Sequence, residues 1–203
     1  MSGPVTVAID GPAGSGKSTL SRALAARLGL ERLDTGAMYR SVAWAVIQRG
    51  VDSDDREAVA EVARNLDIQV GDRVLVDDTD VTEAIRGPGV SAAVSAVAAN
   101  PAVRSIMVER QRRWVAIHGG GVVEGRDIGS VVLPDADLKL FLTADVEVRA
   151  ARRVEEGADA VARRDRLDST RAASPLEVPE GARVIDTGAL SVEEIVEEVV
   201  AWL

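Results

Sequence analysis

The sequence contains no cysteine and only one histidine, His118, among its 203 residues. The lack of cysteine excludes disulfides, iron–sulfur clusters, zinc sites with thiolate ligands and thiol nucleophiles. A single histidine argues against a histidine metal centre and against a Ser-His-Asp triad. The chain also lacks a hydrophobic run long enough to span a bilayer, and no basic residue precedes Asp10. We therefore expect a cytoplasmic, single-domain protein without a membrane anchor or secretory signal.

Aromatic residues are scarce, at 2% of the chain, so the core must be built from alanine, valine, leucine and isoleucine. The net charge is −9, which argues against a nucleic-acid partner because such proteins usually present a basic face. Lysine is also rare: the chain has 22 arginines and two lysines. Because the guanidinium group binds phosphate in a bidentate manner, this bias favours a local pocket for an anion.

Apolar periodicity predicts an alternation of strands and helices. Strands are predicted at 5–9, 30–34, 121–124, 138–143 and 183–186, and helices at 17–28, 38–48, 54–66, 88–100, 101–118, 145–171 and 192–203. A hairpin is predicted within 67–81, where apolar residues alternate about Gly71-Asp72. Strands that alternate with helices indicate an α/β fold with a five-stranded parallel sheet flanked by helices. Ligands of such sheets bind at the carboxyl ends of the strands.

A phosphate-binding loop comes after the first predicted strand and opens the first helix. The motif G-x-x-x-x-G-K-[ST] is matched by Gly11, Pro12, Ala13, Gly14, Ser15, Gly16, Lys17 and Ser18, and Thr19 comes next. Glycines let backbone N–H groups surround an anion, and the helix N-terminus adds positive potential. Lys17 is expected to reach the β- and γ-phosphates of a nucleotide, and Ser18 to bind Mg²⁺. The motif thus predicts a P-loop NTPase fold.

The segment after the third core strand narrows the type of P-loop protein. Its sequence is Glu124-Gly-Arg-Asp127 instead of D-x-x-G, and N-K-x-D is absent from the chain, which argues against a switch GTPase. A small-molecule kinase remains, and cations must hold its second substrate. The candidates are Arg40, Arg104, Arg126, Arg164 and Arg171. Arg126 comes directly after a strand, where the site is expected.

Several motifs occur in one order along the chain. After the P-loop come L-D-T-G-A-M-Y-R (33–40), V-S-A-V-A (94–98), P-A-V-R (101–104), V-E-G-R-D-I-G-S-V-V-L-P-D-A (123–136), R-R-D-R-L-D-S-T-R (163–171) and S-P-L (174–176). Together they resemble the bacterial cytidylate kinases. The resemblance implies transfer of phosphate from ATP to CMP or dCMP with Mg²⁺, in pyrimidine nucleotide metabolism. It also implies a core of 1–66 and 87–203, a nucleoside-monophosphate-binding insertion at about 67–86 and a lid at about 153–165. The lid is shorter here than is usual in the family, which is where the sequence departs from the family's pattern.

The resemblance implies a role for each matching residue. Thr35, Arg40 and Arg126 would bind the CMP phosphate, Ser95, Arg104 and Asp127 the cytosine, Arg164 and Asp168 the ribose, and Arg171 would lie near the transferred phosphate. Lys17, Arg126, Arg164 and Arg171 would act in catalysis. Arg152, with Arg149 and Arg153, would begin the lid over ATP. Glu124 would hold Mg²⁺ through water.

Other interpretations of these residues stay open at this point. Thr35 could be an N-cap, Ser95 a packing residue, and Asp127 a Mg²⁺ ligand or a cap of its turn. The arginines at 149–153 could form a solvated helix face. The chain could also be a UMP/CMP kinase, a shikimate-type kinase, or a nucleotide-binding regulator with slow turnover. We expect a monomer whose partners are CMP or dCMP and ATP.

Overall fold

The computed structural model describes residues 5–152, 166 and 176–203. The chain divides into two compact units, Met1–Leu33 with Trp114–Leu203, and Asp34–Arg113. In chain order the elements are β1 (Thr6–Asp10), α1 (Lys17–Leu28), β2 (Arg32–Asp34), α2 (Thr35–Gln48), α3 (Arg56–Asn65), β3 (Ile68–Val70), β4 (Val74–Val76), β5 (Thr79–Asp80), a 3₁₀ turn (Ala84–Arg86), α4 (Pro88–Ala99), α5 (Pro101–His118), β6 (Gly121–Glu124), a π-helical turn (Ile128–Val132), β7 (Leu138–Thr143), α6 (Val146–Ala151), β8 (Arg183–Asp186) and α7 (Val192–Val200).

A five-stranded sheet in the order β2-β6-β1-β7-β8 organises the first unit. Strand β1 runs parallel to both β6 and β7, and β7 runs parallel to β8. The prediction of a parallel sheet flanked by helices is confirmed. Val7 and Ile9 of the central strand are fully buried, as expected for a strand covered on both faces. The carboxyl ends of β1 and β6 carry the P-loop and the Glu124–Asp127 segment.

Helices α1 and α7 cover this sheet with aliphatic side chains. Leu20 and Leu24 of α1 and Ile195 of α7 belong to one buried cluster with the strands. A capping box begins α7, because Ser191 and Glu194 exchange side-chain and backbone hydrogen bonds. The helix ends at Val200, three residues before the predicted end.

The second unit holds α2, α3, α4 and a small antiparallel sheet. The predicted hairpin is confirmed, with Ile68 opposite Val76 and Val70 opposite Val74. A third strand, β5, was not predicted. It comes after Asp77 and Asp78, whose φ angles are 48° and 62°. Aspartate tolerates this left-handed conformation, so the turn forms without the glycine by which such turns are usually recognised. The predicted insertion at 67–86 lies inside this unit.

Some predictions concern residues that the structure does not describe, and one prediction concerns membrane spans. Of the helical stretch predicted at 145–171, the structure describes α6 and residue 166. The lid at 153–165 and three predicted site residues, Arg164, Asp168 and Arg171, lie outside the described residues. Within the described ranges, no single helix is long and apolar enough to cross a membrane. Helices α4 and α5 are long and apolar enough only when they are taken together, and the chain bends by 92° between them.

Candidate active site

The P-loop connects β1 to α1 along a path that requires glycine. Gly14 has a φ of 76°, and a Cβ there would lie 2.7 Å from the carbonyl oxygen of Arg149. A Cβ on Gly11, whose φ is 147°, would collide with the carbonyl oxygen of Leu142. Both positions therefore combine a left-handed backbone with a close approach to other chain segments. These contacts place the loop against the carboxyl end of β7 and the body of α6.

Lys17 begins α1, and its ammonium group is folded over the loop. Its Nζ donates to the carbonyl oxygen of Pro12 at 2.7 Å and lies 3.5 Å from Oγ of Ser15. The side chain is buried, whereas Ser18 and Thr19, next in the helix, are exposed. The arrangement holds a positive charge within the curve of the loop, where the phosphates of a nucleotide are expected.

Glu124, the last residue of β6, is buried and accepts hydrogen bonds from side chains of α1 and β2. Ser18 Oγ donates to its Oε2 at 2.8 Å, and Ser21 Oγ donates to its Oε1 at 2.9 Å. Arg32 Nη1 forms an ion pair with the same Oε1 at 2.9 Å. This set of donors holds the carboxylate in one orientation. The sequence predicted Ser18 and Glu124 at this position but missed Ser21 and Arg32.

This donor set fits the predicted Mg²⁺ site. Mg²⁺ prefers oxygen ligands and usually binds through one or two protein groups together with water and phosphate oxygens. The Ser18 hydroxyl and the Glu124 carboxylate are such groups. Within the described ranges, histidine, cysteine and acidic side chains nowhere cluster in threes as they do in an all-protein metal cage. A cation here would therefore need water and a nucleotide to complete its coordination.

Arg126 and Asp127 come directly after β6 and precede the π-helical turn. Asp127 is 5% exposed and occupies the N-cap position of that turn. Arg126 is half-buried, and its Nη1 donates to the carbonyl oxygen of Gly125 at 3.2 Å. The turn itself is anchored by Asp10, a residue that the sequence did not single out. Burial raises the pKa of Asp10 to about 6, although its hydrogen bonds from backbone N–H groups act in the opposite direction.

Two further side chains that the sequence did not assign to the P-loop hold it in place. Arg149 is buried, and its guanidinium donates to the carbonyl oxygens of Ala144 at 2.9 Å and Ala13 at 3.2 Å. The solvated-face alternative is therefore wrong for Arg149. Thr187 Oγ1 lies 3.0 Å from the carbonyl oxygen of Ser15. Arg152, predicted to bind ATP, donates to Oγ1 and to the carbonyl oxygen of Thr187 at 2.9 and 2.7 Å.

In the second unit, the predicted residues are placed by α2, α4 and α5. Asp34, and not Thr35, caps α2, because its side chain accepts a hydrogen bond from the N–H of Ala37. The N-cap alternative for Thr35 is thus wrong. Arg40 donates to the carbonyl oxygen of Ile85 at 2.9 Å and to Ser91 Oγ at 3.0 Å.

The two predicted base-contacting residues of this unit differ in burial. Ser95 on α4 is half-buried. Arg104 on α5 is 4% exposed; it donates to the carbonyl oxygen of Ala98 at 3.2 Å, and its guanidinium carbon lies 5.6 Å from the ring centroid of Tyr39. The hydrogen bond and the aromatic ring hold the guanidinium group in place.

Comparison with known proteins agrees with this geometry. The sequence model of the cytidylate kinase family matches residues 7–203. The chain belongs to the cytidylate kinase family. It is 49% identical to the cytidylate kinase of Caldanaerobacter subterraneus subsp. tengcongensis, over 96% of this chain and 92% of that one. It is also 49% identical to the cytidylate kinase of Rhodococcus opacus, over 94% of this chain and 90% of that one.

A solved structure supports the fold at the level of backbone topology. The gluconokinase of Sinorhizobium meliloti matches with a TM-score of 0.55, over 100% of this chain and 93% of that one. At 16% sequence identity the likeness concerns the P-loop kinase fold alone. The predictions of a P-loop kinase fold, of a phosphotransferase and of the cytidylate kinase family are confirmed.

Proposed function

We propose that this member of the cytidylate kinase family transfers the γ-phosphoryl group of ATP to CMP and dCMP, giving CDP and dCDP, with Mg²⁺. The observation that carries the proposal is the joining of Lys17, Ser18 and Glu124 at the P-loop of a chain that matches this family over residues 7–203. The fold brings a cation, a hydroxyl and a fixed carboxylate to one place. These are the groups that a phosphoryl-transfer site needs around a triphosphate.

The chemistry proposed for this site is positioning and charge neutralisation. A phosphoryl group in transfer carries negative charge on its equatorial oxygens, and no covalent enzyme intermediate is needed. Lys17 would hold the β- and γ-phosphates, while backbone N–H groups of the loop, at residues other than Pro12, surround them. Mg²⁺, held by Ser18 and through water by Glu124, would neutralise charge on the same oxygens. Arg152 would contact ATP at the edge of the loop.

The acceptor contacts are proposed from the family's motifs. Thr35, Arg40 and Arg126 would bind the CMP phosphate, since two guanidinium groups and a hydroxyl suit a dianion. Asp127, Ser95 and Arg104 would bind cytosine. Arg164, Asp168 and Arg171, outside the described residues, keep their predicted roles at the ribose and the transferred phosphate. The domain boundaries, the cytoplasmic location and the monomeric state stay predictions.

An ADP-release assay across acceptors tests the function. Purified protein with ATP and Mg²⁺ is offered CMP, dCMP, UMP, AMP, shikimate and no acceptor, and ADP is measured by a coupled reaction. CMP and dCMP should give the highest kcat/KM, and ADP release without an acceptor should be slow. A preference for shikimate, AMP or UMP would overturn the proposed substrate. ADP release that CMP does not stimulate would favour the nucleotide-binding regulator.

A further inference from the structure

Asp10 connects the strand that leads into the P-loop to the segment after β6. It is the last residue of β1, immediately before Gly11, and it is fully buried. Its Oδ1 accepts the backbone N–H of Ile128 at 2.8 Å, and its Oδ2 accepts the backbone N–H of Gly129 at 2.7 Å. Both carboxylate oxygens are thus engaged by consecutive amides, more than a hundred residues away along the chain.

These two amides begin the π-helical turn that Asp127 precedes. The first N–H groups of a helical turn have no partner inside the turn, and a side chain at the N-cap usually accepts one of them. Asp127 occupies the N-cap position, yet within the described residues its side chain makes no capping hydrogen bond. Asp10 accepts these N–H groups in its place. The interpretation of Asp127 as a cap of its own turn is therefore wrong.

The placement of Asp10 separates it from any substrate. A side chain with no exposed surface cannot touch a nucleotide, so its effect must pass through the backbone that it holds. A buried carboxylate is also costly, and burial raises its pKa despite two short hydrogen bonds. Lys17 lowers that pKa and Asp127 raises it, which places the charges of both residues near Asp10.

We propose that Asp10 is a positioning residue that fixes Arg126 and Asp127 relative to the P-loop, and that it thereby sets the selectivity for the acceptor base. The proposal rests on the proposed function, in which Arg126 binds the CMP phosphate and Asp127 reads the cytosine. The β1 strand then carries the donor-binding loop at its carboxyl end and, through Asp10, also holds the acceptor-binding segment. A shift of about an ångström in such a contact can cost a reaction about a hundredfold.

The variant Asp10→Asn tests the proposal with little change of shape. The amide oxygen can accept one N–H, but the amide nitrogen faces the second N–H as another donor. We expect kcat/KM for CMP to fall by at least about tenfold and the ratio of kcat/KM for CMP over UMP to fall at least about threefold. The Kd for ATP, measured by nucleotide titration, should change less than about twofold. Equal losses for CMP, UMP and ATP would overturn the proposal, because they indicate a general structural anchor.

The chain offers a matched control at the other end of the same strand. Asp137 is exposed, and its Oδ2 accepts the backbone N–H of Thr6 at 2.8 Å. Asp137→Asn makes the same chemical change to a carboxylate that accepts a backbone amide of β1. It should leave the CMP/UMP ratio and the KM for CMP unchanged. A change in that ratio equal to the change in Asp10→Asn would also overturn the proposal.

A double variant separates this proposal from the proposed function. If Asp10 acts through Asp127, then Asp10→Asn/Asp127→Ala must show the same CMP/UMP ratio as Asp127→Ala alone. A further fall in the ratio would overturn the proposal. An unchanged ratio in Asp127→Ala would overturn the selectivity that we assign to Asp10, whereas ADP release that CMP still stimulates in the same variant would leave the proposed function standing.

Amide hydrogen exchange supplies the readout if Asp10→Asn does not fold, which a melting curve will show. In the unmodified protein, CMP should slow exchange at Ile128 and Gly129 more than ATP does, because the segment that Asp10 holds would contact the acceptor. Equal protection by the two nucleotides would overturn the proposal.

Discussion

Ser18 at the start of α1 and Glu124 at the end of β6 are joined by a hydrogen bond of 2.8 Å, although 106 residues separate them in sequence. The serine hydroxyl donates its proton to the carboxylate, so its oxygen lone pairs can face a cation. Ser21 and Arg32 hold the other carboxylate oxygen, which prevents Glu124 from turning away. The parallel pairing of Ile9 with Glu124 places this carboxylate beside the strand that leads to the P-loop.

Glu124→Gln should weaken the response to Mg²⁺. The amide keeps the shape but removes the negative charge, and its NH₂ group cannot accept the hydrogen bonds that the carboxylate accepts. We expect the Mg²⁺ concentration for half-maximal activity to rise by at least about tenfold, as is typical when a group that orients a metal site is lost. The control is Glu197→Gln, at an exposed glutamate paired with Arg27. An unchanged Mg²⁺ midpoint in Glu124→Gln would contradict the assignment.

Lys17→Ala should abolish most of the transfer. The buried ammonium lies over the P-loop, and its loss removes a positive charge from the position expected for the β- and γ-phosphates. We expect kcat to fall at least about a hundredfold, measured by ADP release with CMP. The control is Lys139→Ala. Lys139 is the other lysine of the chain, and it donates to the carbonyl oxygen of Glu180 on the surface. Near-normal turnover in a folded Lys17→Ala protein would argue against phosphate binding by this loop.

Arg126→Lys should impair the use of CMP more than the binding of ATP. A guanidinium group offers two parallel N–H donors to phosphate oxygens, whereas an ammonium group offers a point charge. We expect kcat/KM for CMP to fall at least about tenfold, while the Kd for ATP changes little. Arg113→Lys, at an exposed arginine paired with Glu109, is the control. Equal loss of ATP affinity would place Arg126 at the donor nucleotide.

The residues predicted from sequence are those whose signal is local. The P-loop is a run of eight residues that one motif identifies, and Arg126 was a candidate because it follows the third predicted core strand. Asp10 was missed, and the contact of Arg149 with the P-loop was not predicted, because each side chain acts on a backbone group more than a hundred residues away and no periodicity records such a partner. Thr187 had a signal in the sequence: Asp186-Thr-Gly-Ala repeats the Asp34-Thr-Gly-Ala of the motif at 33–40. The fold was more predictable than the site because strand and helix patterns also repeat within a few residues.

Asp127→Ala should reduce the discrimination between cytosine and uracil. The Asp127 carboxylate can accept a hydrogen bond from the 4-amino group of cytosine, whereas the O4 of uracil would face it with a lone pair. An unpaired buried charged group costs about 1–3 kcal/mol or more. We expect the CMP/UMP ratio of kcat/KM to shrink at least about tenfold, with ATP affinity nearly unchanged. Melting curves on the same samples separate this effect from lost stability, and an unchanged ratio would mean that Asp127 does not read the base.

Asp10 should also give the protein a characteristic dependence of stability on pH. Burial raises its pKa in the folded protein from 3.8 to about 6. Between these values the folded state binds a proton that the unfolded state has released, so the free energy of unfolding falls as pH rises through this window. The shift corresponds to about 3 kcal/mol of stability, which is present below pH 3.8 and lost above about pH 6.

Asp127 and Lys17, the charged side chains that act on this carboxyl, oppose each other and leave burial as the main cause. Asp10→Asn has no such group to titrate, and the contributions of groups that do not interact with Asp10 cancel in the comparison. The free energy of unfolding of both proteins is measured by urea titration from pH 4 to pH 8. The wild-type value minus the Asp10→Asn value should decrease up to about pH 6 and stay level beyond it. A difference that is flat across the whole range would mean that the pKa of Asp10 is the same in the folded and unfolded chains.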